Sequence, residues 1–296
     1  MAREKKIQAS ALNIRLTTEG HRPEDYISLF KDILRWNLSA KIASREWGQI
    51  IQFHEESSYV DDWCYYGDIL RFTTIDGWFD MDTQEQVAKN EVRSVSIPPN
   101  LRPNGQRLSF LFFPESHLFV FQTYAGKKRM GPSSCLRMID GLLSNSRVIE
   151  KYGNVEVTLV PDRDELDSAF RIHMLETLRL TIFRPNPDGF AKTEQKILGR
   201  LNSVNASGVD TSYRSVKGEG MTPDDELRSE ADVAARNGRV YIKGKDEEGH
   251  KQEYKTDDHP LNDSVFYDEE VELETQAFSN FAKKIKDKFA EWVSNA

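Results

Sequence analysis

The sequence predicts an α+β fold, and three observations support this prediction. Apolar residues alternate at a period of two in several segments, as in half-buried strands. Other segments repeat apolar residues at helical spacing. The 296 residues are 38% hydrophobic and 30% charged, which is typical of a globular chain with a buried core. We expect an N-terminal strand-helix-strand meander, a central ferredoxin-like α/β sandwich, and an acidic C-terminal hairpin followed by an amphipathic helix.

The N-terminal elements follow from local signals. Alternating apolar residues predict a strand over 7–16, and Pro23 suits the first turn of a helix over 23–36. Residues 40–79 are rich in Ile, Trp, Tyr, Phe and Thr and contain the turn signal Asp76-Gly77. This stretch predicts a meander of strands.

The central elements begin after a proline-rich connector at 97–103, where a sub-boundary of the main body is expected. The order strand, helix, strand, helix, strand over 108–184 predicts the ferredoxin-like sandwich. The elements that we expect in this region are strands at 108–114, 117–123, 155–160 and 178–183, and helices at 132–151 and 161–174.

The C-terminal part contains two predicted helices, at 191–204 and 222–237, and a polar hairpin at 240–254. The last segment predicts an amphipathic helix with five apolar residues at spacings of 3, 4, 4 and 3. They either complete the core or form an interface with a partner or a second copy of the chain. These residues are Phe278, Phe281, Ile285, Phe289 and Trp292.

The net charge of −8 is unevenly distributed. Residues 219–275 hold 18 acidic and 7 basic residues, so the rest of the chain is slightly basic. The sequence therefore predicts a main α+β body at 1–218 and an acidic C-terminal region at 219–296. A nearly neutral body can still present a basic face, so nucleic-acid binding stays open.

Compartment and cofactor class follow from what the sequence lacks. No apolar run approaches the roughly 18 residues of a membrane span, and the first residues lack the apolar core of a secretion signal. Cys64 and Cys135 have no neighbouring cysteine, which is typical of reduced, buried thiols. No nucleotide-binding or hydrolase motif occurs. We expect a cytoplasmic protein without a cofactor.

The first candidate site is the basic cluster Lys127, Lys128 and Arg129, which lies between two glycines and follows an aromatic-rich strand. Basic side chains beside exposed aromatics can hold phosphates and stack bases. The cluster therefore predicts a nucleic-acid contact, and the alternative is an ordinary solvated turn.

The second candidate site combines Asp246, Glu253 and Lys255, which resemble the acidic pair and lysine of a metal-dependent nuclease. Such an enzyme needs carboxylates that converge on Mg²⁺ and a lysine near the attacked phosphate. The alternative is a charged surface hairpin. The six histidines lack the spacing of a zinc site, so no metal site is predicted from them.

Several segments resemble a family of uncharacterised prokaryotic proteins classified as a domain of unknown function. The resemblance implies a role in phage exclusion or genome conflict, because such families are similar to the cargo of prophages and mobile elements. The segments that carry it are Leu12-Asn-Ile14, Asp25-Tyr-Ile-Ser-Leu-Phe30, Phe112-Phe-Pro-Glu-Ser-His117, Arg184-Pro-Asn-Pro-Asp188, Asn237-Gly238, Asp246-Glu-Glu-Gly249 and His259-Pro260.

Together these features favour a non-enzymatic interaction protein of phage exclusion or genome conflict. It would bind a protein of nucleic-acid metabolism or nucleic acid itself. The alternative function is a metal-dependent nuclease or toxin that uses the C-terminal acidic residues.

Overall fold

The structure is a computed structural model of the chain, and it describes residues 4–18, 20–56, 63–75, 77–87, 98, 100–185 and 192–294. Several predicted features lie partly outside these residues: the strand-rich stretch 40–79 with its turn at Asp76, the connector at 97–103, the motif at 184–188 and the first residue of the helix predicted at 191–204.

The helices and strands of the N-terminal half occur in the following order. They are β1 (Glu4–Leu16), α1 (Pro23–Arg35), β2 (Ser39–Lys41), β3 (Glu46–Glu55), β4 (Tyr65–Thr73), β5 (Trp78–Phe79), β6 (Gln86–Val87), β7 (Gln106–Phe113), β8 (Leu118–Ala125), β9 (Lys128–Arg129), α2 (Pro132–Leu143) and α3 (Ser146–Tyr152).

The C-terminal half continues with a second series of elements. They are β10 (Val155–Leu159), α4 (Arg163–Ala169), β11 (Met174–Phe183), α5 (Lys192–Ser203), β12 (Gly208–Arg214), α6 (Asp225–Asn237), β13 (Gly238–Lys245), β14 (Lys251–Lys255), β15 (Asp263–Asp268) and α7 (Glu274–Ser294).

The first sheet is antiparallel and has the order β10-β1-β8-β7-β4-β3-β2. Strand β1 lies inside this sheet. One of its edges pairs with β8, and the other pairs with β15 along the first half of β1 and with β10 along the second half. Helices α1, α2 and α3 cover one face, where aromatic side chains such as Phe30, Phe110 and Phe119 form a buried cluster. Helix α7 packs on the opposite face against β7 and β8.

The second sheet is also antiparallel and has the order β12-β11-β13-β14. Helix α6 packs against β11 and β13, and α5 packs against α6. Strand β13 begins at Gly238, directly after α6 ends, and it lies very close to β11. A Cβ atom at Gly238 would stand 1.9 Å from the carbonyl oxygen of Thr181, so only glycine fits there without a backbone shift.

A buried polar network fixes α5 and α6 to the first sheet. The Arg236 guanidinium donates to Glu194 Oε1 at 3.0 Å and to the Trp292 carbonyl at 3.1 Å. The Arg15 guanidinium donates to Asn237 Oδ1 at 3.0 Å. Both arginine side chains are 1% exposed. Because unpaired buried charges are costly, these bonds strongly constrain how α6 sits between the two sheets.

The α+β class predicted from the sequence is confirmed, since antiparallel sheets and helices both form. The ferredoxin-like arrangement over 108–184, all of which the structure describes, is wrong. Strands β7, β8 and β10 belong to the first sheet, where β1 separates β10 from β8, whereas β11 belongs to the second sheet. The physical reason is that long-range strand partners, which sequence order does not reveal, complete both sheets.

Three other local expectations differ from the structure. The helix predicted over 132–151 is two helices, because Asn145 caps α3 by accepting a hydrogen bond from the Arg147 amide. The helix predicted over 161–174 ends at Ala169, and Met174 already begins β11. Strands β12 and β15 were not predicted from the sequence.

The acidic C-terminal region contributes strands to both sheets. Strand β13 pairs with β11, and β15 pairs with β1, so elements on either side of residue 218 are hydrogen-bonded to one another. The sequence predicted a polar hairpin at 240–254. The structure differs from this prediction, because Val240, Ile242 and Tyr254 are buried and give the hairpin one apolar face. The five apolar residues of α7 are between 0 and 7% exposed, so they lie in the core of this chain rather than on an open partner interface.

Candidate nucleic-acid interface

The second sheet has one covered face and one open face. Alternate residues of its strands, such as Leu178, Leu180, Val240 and Ile242, are at most 1% exposed and form part of the core. Side chains of successive strand residues point to opposite faces. The residues between them therefore point away from the core.

The open face of the second sheet is defined by the outward residues of β11 to β14 and is strongly basic. Seven of its side chains are basic and two, Asp210 and Glu253, are acidic. Five of these basic residues are among the seven in the acidic segment 219–275, so folding gathers them on one surface. The basic residues are Arg179, Arg214, Arg239, Lys243, Lys245, Lys251 and Lys255.

An aromatic ring lies at the centre of the open face. Tyr241 is opposite Arg179 on β11 and opposite Lys255 on β14. The Arg179 guanidinium carbon lies 5.5 Å from the centre of the Tyr241 ring, a cation–π geometry. Burial, and then the hydrogen bond and negative charge of Glu253, raise the pKa of the Tyr241 hydroxyl. This hydroxyl stays protonated at neutral pH and can donate.

Carboxylates at the margin of the open face neutralise part of its charge. Glu176 lies 2.8 Å from Lys245, Asp257 lies 3.0 Å from Arg239, and Asp258 lies 3.9 Å from Lys255. Four basic side chains of the open face have no carboxylate within ion-pair distance among the residues that the structure describes. These are Arg179, Arg214, Lys243 and Lys251.

A concavity of about 450 Å³ opens on this face beside Tyr241. Arg179 and Arg239 line it with donors, and Glu253 and Asp257 line it with acceptors. It is large enough for a small planar ligand, because ligand pockets span roughly 300 to 1,000 Å³. The arrangement can therefore hold phosphates on the lysines and a polar ring in the concavity.

Residues 5–283 match the sequence profile of a domain of unknown function (DUF4747). The chain belongs to this family. The resemblance that its motifs indicated is thereby confirmed for nearly the whole length of the chain. No protein with curated annotation matches it. Because the family description assigns no activity, the geometry of the chain has to carry any functional conclusion.

The structure does not bring together the three residues of the nuclease alternative. Asp246 lies in the hairpin turn, where it accepts from the His250 amide at 2.7 Å and from Gln252 Nε2 at 3.0 Å. Gln252 and Glu253 are neighbours on β14 and point to opposite faces. Asp246 therefore lies on the Gln252 side, whereas Glu253 and Lys255 belong to the open face.

Another group of ligand atoms lies at the same turn. Oxygen and nitrogen atoms of Asp246, Glu248 and His250 are within 4.8 Å of one another. Glu248 and His250 are exposed, and the hydrogen bonds of Asp246 are those that close the turn. The three side chains are close enough to ligate one metal ion. Exposed side chains at the end of a solvated hairpin have the same arrangement, so the group by itself does not indicate a metal site.

The predicted basic cluster at 127–129 is not a simple loop. Lys128 and Arg129 form β9, which pairs with β8. Lys128 Nζ donates to Glu274 Oε1 at 2.5 Å and so contacts the first turn of α7, and the Arg129 guanidinium lies over Tyr124 at 5.4 Å. Lys127 and Arg129 are exposed and can still contact an anion.

Sequence reasoning missed the open face, although one signal for it was readable. Arg239, Tyr241, Lys243 and Lys245 alternate with glycine or apolar residues, as outward residues of a half-buried strand do. The acidity of the surrounding segment concealed this pattern. The position of Arg179 over Tyr241 could not be predicted, because it depends on the pairing of two strand residues that are 62 positions apart in the sequence.

No helix in the part of the chain that the structure describes is long and apolar enough to cross a membrane.

Proposed function

We propose that this chain is a nucleic-acid-binding protein and that the open face of the second sheet is its binding surface. The observation that carries the proposal is the group of seven basic side chains around Tyr241, on a face that no other element of the described residues covers. By this binding it would act in phage exclusion or a similar genome conflict in the cytoplasm, without catalysis.

The charge of the open face supports nucleic acid over other ligands. Lysines and arginines that neutralise phosphates release condensed counterions, and this release supplies much of the binding free energy. Local charge decides the effect, because exposed charges more than about 10 Å apart are largely screened at 0.1 M salt. The net charge of −8 therefore does not prevent a basic face from binding a polyanion.

The two lysines without ion pairs give the most direct test. We expect the double variant Lys243→Gln and Lys251→Gln to bind a fluorescent single-stranded oligonucleotide more weakly than the native chain. Each lost phosphate contact should reduce the slope of log K against log salt by about 0.7. Fluorescence anisotropy titrations at several salt concentrations measure both quantities, with DNA and RNA oligonucleotides as separate arms.

Two matched variants control for total charge and for the other basic cluster. Lys41→Gln with Lys284→Gln removes two exposed lysines far from the open face, and affinity should stay close to the native value. Lys127→Gln with Arg129→Gln tests the cluster at 127–129. If only this last pair lowers affinity, the binding surface lies on the first sheet and the proposal is wrong.

The biological part of the proposal has a separate readout. Cells that express the native chain should reduce phage plating, and cells with the Lys243→Gln and Lys251→Gln variant should lose this reduction at equal protein levels. Protection that is retained by a variant without nucleic-acid affinity would show that binding at this face is not how the chain acts.

A further inference from the structure

We infer that the ligand is a single strand and that the concavity beside Tyr241 receives a base with an exocyclic amino group. This inference rests on the proposed function and specifies its substrate class. Such bases are cytosine, adenine and guanine, whereas thymine and uracil lack the amino group. Three properties of the open face carry the inference: its width, its stacking surface and the acceptors in its concavity.

The width of the open face disfavours readout from inside a groove of undeformed duplex DNA. Four strands at 4.7–4.9 Å spacing place the outer strands, β12 and β14, about 14 Å apart. The major groove of DNA is about 12 Å wide and admits a helix or a two-stranded ribbon. An undeformed duplex therefore presents mainly its backbone to the open face. The unpaired bases of a single strand can lie directly on it.

The centre of the open face offers a stacking surface. Arg179 is exposed and its guanidinium lies over the Tyr241 ring. Bases stack on guanidinium planes as well as on aromatic rings, and such stacking is independent of Watson–Crick pairing. A base that enters the concavity can extend this stack, with the neighbouring phosphates near the lysines of β13 and β14.

The acceptors in the concavity favour bases that carry amino groups. The Glu253 carboxylate lies close enough to the Tyr241 hydroxyl to raise its pKa, and an Asp257 carboxylate oxygen lies 3.0 Å from Arg239 Nε. A carboxylate has about four lone-pair sites, so each can accept a further hydrogen bond. The N4 amino group of cytosine donates to such carboxylates. At the same position thymine and uracil present the O4 carbonyl, which the carboxylate repels.

The donors in the concavity complete the match. Arg179 and Arg239 can donate to the O2 carbonyl or ring nitrogen of the same base while its amino group faces Glu253. Complementary donor and acceptor pairs of this kind discriminate between bases by about 1–3 kcal/mol. The expected preference is therefore about 5-fold or more.

The test compares cytosine, adenine and thymine homo-oligonucleotides of equal length, and one mixed-sequence duplex, on the native full-length chain. We expect the cytosine and adenine strands to bind at least about 5-fold more tightly than the thymine strand, and the duplex to bind more weakly than any of these strands. Glu253→Ala should bring the cytosine-to-thymine ratio toward one. It should also strengthen binding of the thymine strand, because a negative charge is removed.

Two variants control for effects unrelated to base readout. Glu247→Ala removes an exposed carboxylate at the hairpin turn, outside the open face, and should leave the ratio unchanged. Tyr241→Ala removes the stacking ring and should weaken the binding of all strands alike, without changing the cytosine-to-thymine ratio.

The outcomes separate this inference from the proposed function. Equal affinities for the three homo-oligonucleotides would overturn the base preference and leave nucleic-acid binding intact. Tighter binding of the duplex than of every single strand would overturn the single-strand assignment. Failure to bind any of the four would overturn the proposed function as well.

Discussion

His117 shows at the residue scale how burial changes the chemistry of one side chain. It is 1% exposed and has a positive φ of 55°, which few residues other than glycine tolerate. Its Nδ1 lies 3.2 Å from the Tyr26 hydroxyl, which also lies 3.2 Å from His21 Nε2. Burial first, and then the charges of His21 and Arg15, lower the pKa of His117 to about 3.

This pKa predicts a loss of stability as pH falls. Unfolded His117 takes up a proton near pH 6.5, whereas the folded residue stays neutral down to about pH 3. Between these values the unfolded state binds more protons, so the free energy of unfolding decreases by up to about 1.4 kcal/mol per pH unit from this group. Urea unfolding from pH 7 to pH 5 measures the decrease.

His117→Asn is the matched variant, because asparagine tolerates the left-handed backbone at this position. The native chain should be more stable than the variant near pH 7, and the difference should shrink as pH falls. A difference that stays constant over this range would show that His117 does not account for the pH dependence.

For His117 the sequence predicted a position at the start of a strand, but it did not predict which side chains surround the ring. The strand predicted at 117–123 agrees with β8, which begins at Leu118. The His117 amide donates to the Pro114 carbonyl, and the His117 carbonyl accepts from the Ile14 amide. The ring contacts could not be predicted, because Tyr26 is 91 residues away and reaches His117 only through the packing of α1 on the first sheet.

The terminal helix α7 illustrates the element scale. Its apolar period was readable from the sequence, and the helix forms at Glu274–Ser294 as expected. The period did not reveal what the apolar side contacts, because a core and an interface with another molecule require the same pattern. Burial of Phe278 in the core that also includes Leu118, Val120 and Phe113 favours the first alternative.

Truncation of Phe278 tests this assignment. We expect Phe278→Ala to lower the free energy of unfolding by about 3–5 kcal/mol, because it removes a fully buried aromatic ring. Lys284→Ala, on the exposed side of the same helix, should change it by less than about 0.5 kcal/mol. Unchanged stability of Phe278→Ala, together with loss of a dimer in sedimentation, would assign α7 to an interface instead.

Strands β12 and β15 show what element-level reasoning misses. Strand β12 is largely exposed and, within the described parts of the chain, pairs with β11 alone, so it lacks the apolar alternation that marks a half-buried strand. Strand β15 pairs with the N-terminal part of β1, about 260 residues earlier in the chain. Both strands form because an existing strand offers unpaired backbone groups.

At the scale of the whole molecule, the boundary predicted at residue 218 can be tested with a fragment. Residues 1–218 lack β13, which pairs with β11, and β15 and α7, which complete the core against the first sheet. We expect this fragment to lack the cooperative urea transition of the full chain. Circular dichroism during urea titration provides the measurement, and a cooperative transition of comparable midpoint would show that 1–218 is an independent domain.

The α+β class, most element positions and the family could be read from the amino-acid sequence, since local periodicity and capping residues act within a few positions along the chain. The division of 108–184 between two sheets and the opposite directions of Asp246 and Glu253 became visible in the folded chain alone. It also gathered five basic residues of an acidic segment around Tyr241. The reason is that strand pairing over long distances sets which side chains share a face, and the residues near each strand do not encode the partner.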